Sequence, residues 1–188
     1  MKRILCALVA CMAAAVFLPA SSVTAAALPE SATIRDRAGD VRGSAPGRNS
    51  IDILKVSGTR EGNYLIGRMR VANLHNDTDS NDGQLFVLWV QTRSGVTYQV
   101  STRNQEPQTA PLRGDTDTHF CARTDVIVKW QIDNDVVVWK IPMRCFKERP
   151  TAWRVGGISF IGRNQDAWDQ TGGGQGESRL SGLFANTP

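Results

Sequence analysis

The chain has 188 residues, 41% of them hydrophobic, with 22 basic against 18 acidic residues and a formal net charge of +4. So mild a balance does not point to nucleic acid, for which a clustered basic face is expected. With only two histidines, His75 and His119, a Ser-His-acid triad or a His-rich metal site has almost nothing to draw on.

The first element reads as a secretory leader. Lys2 and Arg3 precede an apolar run of 15 residues from Ile4 to Leu18, and Pro19 leads into the small residues Ser21 to Ala27. Cleavage after Ala25 or after Ala27 fits the small-residue rule equally well. The run is short of the ~20 residues that span a bilayer. Leu8-Val9-Ala10-Cys11 has the residue types of a lipoprotein box, but it follows only about seven apolar residues, so export with cleavage is the expectation and lipidation at Cys11 is not. Without the leader, 20 basic residues face 18 acidic ones, a net charge near +2. The ~160 residues left suffice for one domain with its own core.

Residues 28–50 carry Pro29, Gly39, Gly43, Pro46 and Gly47 and read as a loop-rich entry around a short strand at Thr33 to Arg35. The β-sandwich core is expected over 51–165. Ile51 to Thr59 and Tyr64 to Asn73 form a hairpin about Glu61-Gly62-Asn63, with Leu65, Met69 and Val71 alternating against Arg68 and Arg70. Leu85 to Val90 is apolar on both faces, which places it centrally with cover on each side. Val96, Tyr98 and Val100 alternate with polar residues in the next strand, and Asn104 to Asp117, with Pro107 and Pro111, reads as a loop.

Val126, Val128, Trp130 and Ile132 then share a face before a turn at Asp133-Asn134-Asp135, from which Val136 to Ile141 returns. In a hairpin centred on residue 133, paired positions sum to 266, which sets Cys121 opposite Cys145. Cross-strand Cα separations of ~4.5 to 5.5 Å suit a disulfide, although Pro142 or a bulge would shift the register by one. Cys6 and Cys11 leave with the leader, so this even pair in an oxidising compartment is read as the bridge. Trp153 to Ile161 is the last long strand, its Gly156-Gly157 pair suggesting a bulge or bend. Residues 166–188 form a Gly-rich C-terminal segment, of which Leu180 to Phe184 packs back on the body.

Two acidic clusters suit calcium, which takes several oxygen ligands. Asp36 and Asp40 flank a turn, and Asp52 interrupts Ile51-Asp52-Ile53 where a strand would continue apolar. A calcium site formed by Asp36, Asp40 and Asp52, a network of side chain to backbone hydrogen bonds, and plain solvated charge each account for them. Asn76 to Gly83 begins like an EF-hand loop at Asp77 but puts Asp82 where glycine is needed and Leu88 where the bidentate Glu belongs, so a polar connection is the simpler reading. Gly172 to Gly176 lacks the Lys-Ser/Thr of a P-loop, and the preceding Asp166 to Asp169 reads as polar loop, not buried strand. Of the five tryptophans, Trp89, Trp130, Trp139 and Trp153 fall in strands and are expected in the core. Trp168, in that polar loop, is the candidate for an exposed ligand-stacking face.

Taken together, Asp36-x-x-Gly39-Asp40, Asp52-Ile53, the Cys121-to-Cys145 hairpin ending Ile141-Pro142-Met143-Arg144-Cys145-Phe146, and Pro150-x-x-Trp153-Arg154-Val155 resemble a group of secreted, disulfide-bearing β-domains common in actinobacteria. The likeness runs over roughly 33–161, and implies an exported β-sandwich without an assigned enzymatic activity.

The expectation is therefore an all-β, single antiparallel sandwich of about eight or nine strands, exported and non-catalytic, binding an envelope or extracellular ligand or partner. Calcium is the one cofactor considered; no nucleic acid and no membrane span are expected. The alternative is a secreted hydrolase acting on glycans through paired carboxylates such as Asp36 and Asp40 or Asp77 and Asp79, standing ~5 to 9.5 Å apart. A third reading is an interaction protein whose sheet edge or Gly-rich tail recruits another chain.

Overall fold

The computed structural model describes residues 29–75, 83–103, 112–114, 119–121, 125–146, 152–162, 165–172, 179–182 and 184–185. The expected leader with Cys11, the Asn76 to Asp82 cluster with Asp77 and Asp79, and residues 173–178 lie outside them. Among the described residues no α-helix occurs, and no helix is long and apolar enough to cross a membrane.

Two antiparallel sheets face each other in a sandwich. The first contains β1 (Ser31–Arg35), β3 (Ile53–Glu61), β4 (Tyr64–Val71), β9 (Ile127–Gln131) and β10 (Val136–Pro142), in the order β1-β3-β4-β10-β9. The second contains β2 (Arg42–Gly43), β5 (Leu85–Thr92), β6 (Thr97–Arg103), β7 (Leu112–Gly114), β8 (His119–Cys121), β11 (Ala152–Ile161) and β12 (Ala167–Gln170), in the order β2-β12-β11-β5-β6-β7-β8. The two-residue β13 (Phe184–Ala185) also pairs with β11. Both flanking segments thus supply strands to the sheets, β1 and β2 from one side and β12 and β13 from the other.

The strand count exceeds the expected eight or nine because the added strands are two to four residues long, too short for an alternating pattern to stand out. One of them, β7, lies inside the expected 104–117 loop. Ile51 does not begin a strand: it ends a 3-10 turn, Arg48–Ile51, and the ladder starts at Ile53.

Alternation sets the inner faces. Ile34, Val56, Met69, Val137 and Trp130 form one cross-strand row of the first sheet, and Ala32, Gly58, Gly67, Trp139 and Val128 the next. Phe86, Leu88, Val90, Tyr98, Val100, Trp153 and Val155 answer from the second sheet. Trp139 and Trp153 are fully buried. Phe146 packs edge-on between Tyr98 and Trp153, with ring centroids at 5.0 and 4.4 Å. β5 is central, as read, but Leu85, Val87 and Trp89 are only half-buried, so one of its faces is incompletely covered and Trp89 is not a core residue. Trp130 is also half-buried, its indole N–H donating to Thr102 Oγ1 at 3.1 Å.

The Gly156-Gly157 pair makes no bulge: the β11–β5 register runs unbroken through it. It marks close approach instead. A Cβ on Gly157 would collide with Met69 of the facing sheet, and one on Gly156 would sit 2.9 Å from the Arg179 carbonyl oxygen. The chain after the Gly-rich stretch does pack back, with Ser181 N–H donating to Val155 O at 2.7 Å and the Ser181 hydroxyl accepting Val155 N–H at 3.0 Å.

Cys121 and Cys145 are disulfide-bonded, with Cα atoms 4.9 Å apart. The hairpin register that predicted the pairing is nevertheless off by one: Val136 pairs with Gln131 and Lys140 with Ile127, so positions sum to 267. The ladder stops at residue 127, and Cys121 lies on β8 at the edge of the second sheet, whereas Cys145 lies in a 3-10 turn after β10 of the first. The bridge joins the sheets, not two rungs of one hairpin.

Candidate metal centre

Four carboxylates gather where the first strand leaves its sheet. Asp36 follows β1, and its Oδ1 accepts backbone N–H groups from Arg37 at 3.0 Å and Gly172 at 3.1 Å. The chain then turns through Gly39, whose φ of +83° suits glycine, and delivers Asp40. Gly39 N–H donates to Asp52 Oδ2 at 2.8 Å, which ties this turn to the residue closing the Arg48–Ile51 turn.

The fourth carboxylate is Asp169, and nothing in the sequence reading selected it. The polar loop expected over Asp166 to Asp169 is not what forms: Ala167 to Gln170 is strand β12, with Ala167 and Asp169 buried and Trp168 and Gln170 half-buried. Asp169 Oδ2 accepts Ile53 N–H at 2.6 Å, and Oδ1 accepts Gln170 N–H at 2.8 Å. The available signal was the alternation of Ala167 and Asp169 against Trp168 and Gln170, which four residues cannot make persuasive.

One oxygen each from Asp36, Asp40 and Asp169 lies within 4.8 Å of the other two. Calcium–oxygen distances of about 2.3 to 2.6 Å let such oxygens share one ion. Asp52 stands close enough that its charge raises the Asp36 pKa, and the Asp40 charge raises its own. Asp36 Oδ2, Asp40 Oδ1 and Asp52 Oδ1 are all buried and accept no hydrogen bond from the protein. Among the described residues no cation forms an ion pair with any of the four.

Burial is the main cause of the raised pKa of Asp169, pushed up to about 7; the Ile53 N–H opposes it, and the charges of Asp36 and Asp40 add to it. Burial likewise raises Asp36 against the pull of the Arg37 and Gly172 N–H groups, and raises Asp52 against that of Gly39. Buried, donor-poor, mutually repelling carboxylates fit an oxygen-liganded dication. Asp36 and Asp40 border a cavity of about 530 Å³ shared with Arg35, Arg37 and Arg179.

The structure therefore gathers Asp36 and Asp40 with Asp169 from the far end of the chain, and sets Asp52 beside them, tied to the same turn through Gly39 N–H but outside the set of oxygens within 4.8 Å of one another. Trp168 is not in a polar loop: it lies half-buried on β12, with the Arg42 guanidinium carbon 5.1 Å from its ring centroid. His75 is half-exposed, with Nδ1 3.4 Å from the Asn73 carbonyl oxygen, and His119 lies on β8. No protein-family model matches this chain, and no curated protein matches it in sequence.

Proposed function

We propose that this protein is an exported, non-catalytic β-sandwich that holds calcium through Asp36, Asp40, Asp52 and Asp169 and serves as a ligand- or partner-binding module at the cell envelope. One observation carries the reading: Asp36 and Asp40, each with a buried oxygen that has no donor, share a site with the buried Asp169, Asp52 stands beside them with a third such oxygen, and no ion-paired cation is present among the described residues. Such a group is costly as it stands and becomes favourable once a dication replaces the missing donors. The leader and the disulfide agree with a compartment where calcium is plentiful.

The ligands come from the β1 exit, the start of β3 and strand β12, so the ion would lock segments of both sheets. Its role is then structural, fixing the surface that meets the partner. Calorimetric titration of chelator-stripped protein with calcium chloride, and separately with magnesium chloride, tests this. Saturable calcium binding that Asp40→Asn weakens at least tenfold is expected, with magnesium much weaker because it demands a smaller, more regular shell. No heat and no competition with a calcium dye at millimolar calcium would overturn it.

A further inference from the structure

The outward face of the first sheet is strongly and one-sidedly basic. Its outward residues form the cross-strand rows Arg35-Lys55-Arg70-Val136-Gln131, Thr33-Ser57-Arg68-Val138-Lys129 and Ser31-Thr59-Ile66-Lys140-Ile127. Six cations stand there against one acid, Glu61, which already pairs with Arg68 at 2.9 Å. Lys140 lies over the Tyr64 ring at 4.1 Å from its centroid. Arg35, Lys55, Arg70 and Lys129 are exposed and have no hydrogen-bond or ion-pair partner among the described residues. The near-neutral charge of the chain conceals this segregation, and the clustered basic face that composition argued against is present.

Arg35, Lys55 and Arg70 are direct cross-strand neighbours, so three like-charged side chains rise from backbones ~4.8 Å apart on adjacent strands. Such juxtaposition is unfavourable for the isolated fold, and an anion laid across the row reverses its sign. From β1 to β9 the band spans four strand spacings, ~19 Å.

We infer that this face docks an extended acidic polysaccharide, its carboxylate or sulfate groups meeting the Arg35-Lys55-Arg70 row and running on toward Lys129. Charge complementarity selects a polyanion. A five-stranded face is too broad to enter the groove of duplex DNA, which admits a helix or a two-stranded ribbon, and this selects against duplex DNA. Single-stranded nucleic acid would need stacking aromatics, and the face offers one ring, Tyr64, which Lys140 already covers.

The test is binding of the purified protein to polygalacturonate in EDTA, so that the calcium proposal and this one succeed or fail separately. Neutral dextran and duplex and single-stranded DNA are run as competitors. Expected are saturable binding to polygalacturonate, at least tenfold weakening by Lys55→Glu with Arg70→Glu, and no more than twofold weakening by Arg154→Glu, an equal charge change per site on exposed β11 surface. Lys55→Gln with Arg70→Gln, followed by thermal melt, gives the same loss in a variant relieved of the repulsion. Absence of binding at low salt, equal loss in Arg154→Glu, or competition by DNA stronger than by the glycan itself would each overturn the assignment.

Discussion

Asp169 and Ile53 stand 116 positions apart in the chain, and the Asp169 carboxylate accepts the Ile53 backbone N–H at 2.6 Å. The contact fastens β12 of one sheet to the start of β3 in the other, and it does so with a buried acid whose second oxygen also accepts a backbone N–H. A residue holding two sheets together is thus also a member of the acidic cluster.

That arrangement gives the metal-free protein a defined pH response. The Asp169 pKa rises from 3.8 unfolded to about 7 folded, so between those values the native state binds a proton that the unfolded chain has released. Stability from this group is full below the unfolded pKa and is lost as pH rises through the folded one. In EDTA, the difference in Tm between the native protein and Asp169→Asn should shift against the native protein from pH 5 to pH 8. A difference that is flat, or that moves the other way, would contradict the assignment.

Calcium should reverse that trend by displacing the proton. At a free concentration 100 times Kd, a ligand specific for the folded state adds about 2.7 kcal/mol. In a domain of this size that is a Tm rise of about 5 to 10 °C. The rise should be larger at pH 8 than at pH 5 and absent in Asp52→Asn. Superimposed melts with and without calcium would remove the ion from the account of Asp52 and leave it a hydrogen-bonding residue.

Gly157→Ala should destabilise by about 1 to 3 kcal/mol, because the added methyl meets the buried Met69 side chain of the facing sheet and the Val87 carbonyl oxygen of the neighbouring strand, and both must give way to admit it. Gly62→Ala carries no such contact and tests only the cost of a positive φ. Urea unfolding of both variants separates the two causes: equal losses would mean that the close approach of the sheets is not what requires glycine at 157.

Replacing Cys121 and Cys145 together by Ala should cost about 3 to 4 kcal/mol by the chain-entropy estimate for a sequence separation of 24. Equilibrium unfolding checks it. A loss under 1 kcal/mol would mean that the surrounding strands hold β8 without the bridge.

The sequence by itself determined the class of fold. Hydrophobic alternation in Tyr64 to Val71 and Val126 to Ile141 is a local property, because successive side chains on a strand point to opposite faces whatever the partner. Cysteine inventory selected the Cys121–Cys145 pair for the same kind of reason, since two cysteines beyond a leader leave one pairing. Asp36, Asp40 and Asp52 were legible as candidate ligands because Asp52 breaks an apolar run, a conflict visible in three residues.

Only the tertiary structure decided the rest. Whether Gly156-Gly157 marks a bulge or a close approach depends on Met69 and Arg179, both remote in sequence. Asp169 joined the cluster because β12 runs antiparallel to β11, a pairing that four residues cannot announce. The basic face arose from register: Arg35, Lys55 and Arg70 are ordinary scattered cations along the chain, and become one row only when β1, β3 and β4 align. Composition counts charges, whereas strand pairing decides which of them share a surface.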